Sequence, residues 1–192
     1  PLLGTAGITR VVNGPIPYTP DGLPLIGPMP GVQNAFEACV FTFGIVQAGG
    51  AGRLLAEMIT EGETESDSWA VDPRRFTDHV DVRYTAAKAI ETYSHEYAMH
   101  FPQIQWPAGR KAKYSPLYDR LAEAGAEFGS YGGWERADWF PSNDDDRLAA
   151  NSYDRQHWFD TVGGECRHVA AHAGIIELTG FSRFHVTGVG AD

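Results

Sequence analysis

The chain has 192 residues, of which 43% are hydrophobic and 21% charged, with a formal net charge of −10 at pH 7. That balance reads as globular and soluble rather than disordered or fibrous, and the length suits one ordinary domain or parts of two or three smaller ones. The acidic surface excludes a nucleic-acid partner, because no basic stripe exists to release counterions from phosphates, and no apolar run approaches the roughly 20 residues of a membrane helix.

Cys39 and Cys166 make no disulfide framework, which suits a reducing compartment, the cytosol or an organelle matrix. The chain opens without Met on the apolar Pro1-Leu2-Leu3 and stops at Val189-Gly190-Ala191-Asp192 directly after a strand-like run. The expectation from both ends is an internal segment of a longer chain.

Ile8 to Val12 is a short β-like run closed by Asn13-Gly14-Pro15. Tyr18-Thr19-Pro20-Asp21-Gly22 predicts a turn, with Pro20 presetting φ and Gly22 tolerating φ > 0. Leu25-Ile26-Gly27-Pro28 and Pro30-Gly31 read as further turns, and Ala35 to Val40 as a buried strand. Phe43-Gly44-Ile45-Val46-Gln47 then leads through Ala48-Gly49-Gly50-Ala51-Gly52 into a helix from about Ala51 to Thr60, striped by Leu54, Leu55, Met58 and Ile59 and stopped by Gly62. Residues 63–80 turn acidic and mark the edge of a first unit.

Asp81 predicts the cap of a helix running to about Met99, with Ile90, Tyr93 and Tyr97 on one face. A Pro- and Trp-containing connector, Phe101 to Arg110, follows. Ser115-Pro116 predicts a sharp helix start and Gly125 its stop. Ala126 to Tyr131 and Trp134 to Phe140 flank Gly132-Gly133, a hairpin signal. Pro141 to Asn151 reads as an exposed loop, Arg155 to His172 as a helix, and Ile175 to Leu178 and Phe181 to Thr187 as strands. The pattern predicts an α+β chain in at least two packing units.

Glycines at a helix start let another molecule approach the backbone, where free N–H groups favour negative charge such as that on a reduced flavin. The alternative is that these glycines only permit close strand–helix packing. Cys166, His168 and His172 share a helix, but no fourth ligand of usual spacing follows, so two surface histidines are the better reading and no metal site is assigned. Asp144-Asp145-Asp146 lacks the Gly and distal Glu of a Ca²⁺ loop. Tyr131, Trp134, Trp139 and Phe140 read as a hairpin core rather than a stacking platform.

Three stretches in order resemble the dimethylglycine and sarcosine dehydrogenases and their bacterial relatives. Asn13-Gly14-Pro15, Tyr18 to Gly22 and Leu25-Ile26-Gly27 look like the late part of a D-amino-acid-oxidase-like flavin domain. Phe43 to Gly52, Leu55-Ala56-Glu57 and Asp72-Pro73-Arg74-Arg75-Phe76 are similar to the close of that domain. Ser115 to Arg120 with Gly133 to Ala137 resembles the opening of a glycine-cleavage T-protein (aminomethyltransferase) domain. The resemblance implies the C-terminal part of an FAD-dependent oxidoreductase domain over 1–80, a helical linking segment over 81–112 and the start of a folate-type domain over 113–192.

It further implies a small N-methyl amine substrate, a hydride passed to FAD, and a one-carbon unit passed to tetrahydrofolate. Asp21, Gly22, Thr42, Phe43, Gly44, Ile45, Val46 and Gln47 would face the cofactor, with the backbone of Ala48 to Gly50 beside them. The dinucleotide fingerprint would lie upstream and the acidic residue for folate chemistry downstream, so the segment alone is expected to be inactive, with the rest of its parent chain as partner and no catalytic residue assigned. The resemblance implies a cytoplasmic enzyme, or a matrix enzyme in a mitochondrion. Two rivals stay open: a non-redox folate-type binding or assembly module, and aminomethyl transfer as the main activity.

Overall fold

Turn chemistry rather than strand propensity decides the beginning of the chain. The computed structural model describes residues 4–191; Pro1-Leu2-Leu3 and Asp192 lie outside them. They fall into two units, divided between Thr77 and Asp78.

In the first unit the run Ile8 to Val12 forms no strand, and Ile8, Val11 and Val12 are 84%, 81% and 77% exposed. Apolar residues without a neighbouring ladder cannot hold an extended segment. The turn follows as expected: Gly22 takes φ 76 and its N–H donates to the Thr19 carbonyl at 3.2 Å. Leu25–Pro28, read from sequence as a turn, is instead strand β1, paired antiparallel with β2, Phe36–Cys39, from Leu25↔Cys39 to Pro28↔Phe36. Pro28 sits at the strand end, where a missing donor is tolerated. β2 is half-buried rather than buried.

Helix α1 spans Gly44–Thr60, starting at Gly44 rather than Ala51. The Gly-rich stretch contains no proline, so the helix nucleated around the apolar residues beyond it propagates back through the glycines. Ala51 and Met58, seven apart, are its buried residues, whereas Ile59 is 56% exposed and leaves the predicted stripe. With Ile26 they form the apolar centre of this unit. Two 3-10 turns, Trp69–Val71 and Pro73–Arg75, close it, the second capped by Asp72 with Pro73 at the first position.

The second unit opens with α2, Val82–Ser94, capped by the Asp81 carboxylate on the Tyr84 N–H at 2.8 Å. It ends at Ser94 rather than Met99, and Ile90, Tyr93 and Tyr97 are 69%, 57% and 87% exposed, so that face is not core. α3 spans Tyr118–Glu123; Ser115 accepts from the Leu117 N–H and forms a turn before the helix instead of its cap.

β3, Glu127–Tyr131, and β4, Trp134–Trp139, form the predicted hairpin, with Gly132 and Gly133 at φ 58 and 84 as a primed turn demands. The supposed loop contains a short helix α4, Asp144–Leu148, because Asn143 caps the Asp146 N–H and the three Asp side chains occupy the positive end of the helix. α5, Phe159–Ala171, begins later than Arg155. The two last strands are not formed: Ile175, Phe184 and Val186 are 95%, 89% and 72% exposed, with no neighbouring ladder. The architecture is α+β, helices with two small antiparallel sheets.

The hairpin turn is set by sterics as well as φ, for a methyl added at Gly133 would lie 2.6 Å from His79 Nε2. Gly133→Ala is therefore expected to destabilise the parent protein by about 1–3 kcal/mol in urea denaturation. Gly132→Asn, at a φ of 58 with nothing within 4 Å, should be close to neutral.

Candidate functional site

The register of β1 on β2 brings the two predicted segments to one place. Leu25 pairs with Cys39, so the turn entering β1 and the loop leaving β2 emerge from the same end of the ladder. Asp21 and Gly22 lie on the first; Thr42 and Phe43 lie on the second, which runs directly into the first turn of α1, Gly44 to Gln47.

Asp21 does not point freely outward. Its Oδ1 accepts from the Thr19 hydroxyl and the Leu23 N–H, each at 3.0 Å, which fixes the turn's shape. The Arg75 guanidinium donates to Asp21 Oδ2 at 2.8 Å and Oδ1 at 3.0 Å, and to the Leu23 carbonyl at 3.0 Å. Arg75 was not among the site residues read from sequence. The Asp72-Pro73 capping signal that seats it was visible; its partner 54 residues away was not.

On the second segment, Val40 adopts φ 57, a costly conformation for a β-branched residue and the kind of strain that accumulates beside functional sites. Phe43 occupies the N-cap position of α1, offers no side-chain cap, and no acidic residue lies in the first turn. The helix start therefore keeps its positive end uncompensated. Thr42 Oγ1 and Gln47 Oε1 are buried with no hydrogen-bond partner. Ile45 and Val46, beside them, are 96% and 82% exposed.

Because the helix starts at Gly44, Ala48 to Gly50 belong to α1 and not to a loop before it. A Cβ added at Gly49, Gly50 or Gly52 would meet nothing within 4 Å. Each glycine in a helix interior costs about 1 kcal/mol relative to alanine. Close packing within the described residues does not explain that cost.

The second unit holds an open cavity of about 510 Å³ bounded by Gln105, Tyr131, Arg136, Asp138, Trp139 and His157. A bulge at Glu127/Phe128 distorts the hairpin next to Asp138. The Tyr131 hydroxyl donates to both Asp138 oxygens, at 2.9 and 3.0 Å, and burial pushes both the Asp138 carboxyl and the Tyr131 phenol up. His157 Nδ1 is buried without a partner. Of the predicted aromatic cluster, Trp139 is buried and lines this cavity. The His168 and His172 rings lie 4.9 Å apart, and no group of three or more metal-binding side chains occurs among the described residues. No helix among them is long and apolar enough to cross a membrane.

Comparison with known proteins gives these features a context. Residues 61–115 match the FAD dependent oxidoreductase central domain and residues 117–192 the GCVT N-terminal domain. Beyond these segments, the chain is similar along nearly its whole length to dimethylglycine and sarcosine dehydrogenases. It is 38% identical over 98% of its length to mouse dimethylglycine dehydrogenase, mitochondrial, covering 22% of that protein. It is 40% identical over 98% of its length to 4-methylaminobutanoate oxidase (formaldehyde-forming) of Paenarthrobacter nicotinovorans, covering 23% of it. Mouse pyruvate dehydrogenase phosphatase regulatory subunit, mitochondrial, is 31% identical over 99% of the chain, which covers 22% of it. The chain thus spans about a fifth of the length of these curated relatives.

Asp72 supports the site from below. Its carboxylate, side chain 4% exposed, takes bonds from Arg74 Nε and the Arg74 N–H, and these hold it below the usual carboxylate range despite burial. A lowered folded-state pKa means stability that is full above the unfolded value and lost as pH falls through the folded one. Asp72→Asn is expected to destabilise the protein at pH 7 by about 1–3 kcal/mol, with the difference shrinking as urea midpoints are followed below pH 4.

Proposed function

We propose that the chain is the part of an FAD-dependent N-methyl amine oxidoreductase that flanks the flavin ring and leads into a folate-type domain. The observation that carries this is the bare start of α1, uncapped and next to two orphaned buried oxygens, Thr42 Oγ1 and Gln47 Oε1. Those features fit a planar ligand whose polar edge carries acceptors for the helix N–H groups and the Thr42 hydroxyl, and a donor for Gln47 Oε1. When bound, FAD supplies the two-electron acceptor for the amine C–H bond.

The protein's own contribution is local. N–H groups of the first turn of α1 favour negative charge at their end of the helix. The Thr42 hydroxyl and the Gln47 amide would hold the ligand's edge, and Ile45 and Val46 would keep water from it. The Asp21-Gly22 turn bounds the same end of the ladder, and the open glycines of α1 admit a close neighbour. The parent chain supplies the dinucleotide fingerprint and the substrate pocket.

The substrate class is a small secondary or tertiary N-methyl amine, following the names of the dimethylglycine and methylaminobutanoate relatives. Transfer of the one-carbon unit to tetrahydrofolate belongs to the domain that residues 117–192 begin. The compartment is the mitochondrial matrix in a eukaryote and the cytosol in a bacterium.

A second reading has its own support. The cavity beside Asp138 and the likeness to a phosphatase regulatory subunit favour a binding or assembly module that keeps both folds without redox chemistry. The two readings separate in the intact parent protein. Gly44→Arg is expected to abolish flavin retention, read from the visible spectrum after gel filtration. Full flavin occupancy in that variant would contradict the placement, and a colourless unmutated protein would favour the second reading.

A further inference from the structure

We propose that Arg75 is a positioning residue for the flavin, acting through the Asp21-Gly22 turn; this rests on the flavin reading given above. The bonds inside the turn, from Thr19 and Leu23 to Asp21, define its shape but not its place. Arg75 fixes the place. Its side chain is 8% exposed, and its guanidinium reaches both Asp21 oxygens, the Leu23 carbonyl and the Asp72 carbonyl, the last at 3.1 Å.

The arginine is itself seated on the sheet. The Phe76 ring lies 4.3 Å below the guanidinium. The 3-10 turn carrying Arg75 is pressed on β1, so that a Cβ at Gly27 would stand 3.3 Å from Pro73 Cδ. Segment 72–76 thus holds the entry of β1, the end of the ladder from which Thr42 to Gln47 also emerge. It also falls within residues 61–115, the part matching the oxidoreductase central domain. The central-domain segment would therefore set where the flavin-flanking turn stands. A lysine, a point charge without the planar fork, cannot make the same set of bonds.

The test uses the full-length parent holoenzyme with Arg75→Lys, Arg75→Gln, Asp21→Asn and the double variant Asp21→Asn/Arg75→Gln. Three readouts are taken at a temperature where circular dichroism shows each folded: melting temperature, visible flavin spectrum and flavin midpoint potential. The expected result is a changed flavin band and about a tenfold change in the relative binding of oxidised and reduced flavin, which is about 30 mV for a two-electron couple. The double variant should shift no further than Arg75→Gln alone, because both remove one interaction.

Lower melting temperatures with an unchanged spectrum and potential would overturn the proposal and leave Arg75 a structural clamp. Should the Arg75 variants fail to fold, Asp21→Asn decides by the same readouts. The Gly44→Arg variant separates the two levels. Flavin lost there but unchanged by Arg75 and Asp21 substitution sinks this inference alone, whereas flavin kept there sinks the site reading on which it rests.

Discussion

Each unit is organised by a buried carboxylate that an arginine must hold. Glu135, side chain 1% exposed, accepts from Arg110 Nε at 2.8 Å and from the Lys111 N–H at 2.7 Å, while Arg110 also donates to the Phe128 carbonyl. Burial pushes the Glu135 carboxyl up, and the Arg110 bond with the Lys111 amide outweighs it, so the group stays ionised below its ordinary value. In the first unit Asp72 caps the 3-10 turn that carries Arg75 to the Asp21 turn. Removing Arg110 would leave the Glu135 carboxylate buried and uncompensated, a loss of about 3–5 kcal/mol. The dependence is sharpened by how little apolar surface is buried: among the described residues the buried hydrophobic side chains are Ile26, Ala51, Met58 and Trp139, against six buried polar or charged ones.

That imbalance bears on function. A chain that buries so few apolar side chains while exposing Ile45, Val46, Ile175 and Phe184 presents apolar surface of the kind that marks interaction sites. The open glycines of α1 and the orphaned oxygens of Thr42 and Gln47 lie on the same helix and the loop before it, so the unmet requirements of the first unit are concentrated there. Helix polarity, missing hydrogen bonds and missing packing therefore coincide in one segment, and the proposed flavin placement rests on that coincidence.

Local chemistry was legible in the sequence where it is self-contained. The Gly132-Gly133 hairpin, the Asp81 cap and the Thr19 to Gly22 turn each depend on a few adjacent residues and appear as read. The errors arose where a distant partner decides. β1 is a strand only because β2 lies beside it, and Ile8 to Val12 and the residues beyond Ile175 are not strands because nothing does. The start of α1 was misplaced because glycine propensity, a local preference, gave way to cooperative helix growth. At the candidate site the sequence pointed to the segment but could not show Arg75, whose role exists only through a contact with Asp21 across 54 residues.

Membership of this segment in a flavoprotein that oxidises an N-methyl amine is read most directly from an anaerobic titration of the full-length parent protein with dimethylglycine, sarcosine and 4-methylaminobutanoate. The expected result is a yellow protein whose visible flavin band bleaches stoichiometrically with one of these amines. A folded, full-length protein that carries no flavin, or carries one that none of the three reduces, would contradict it.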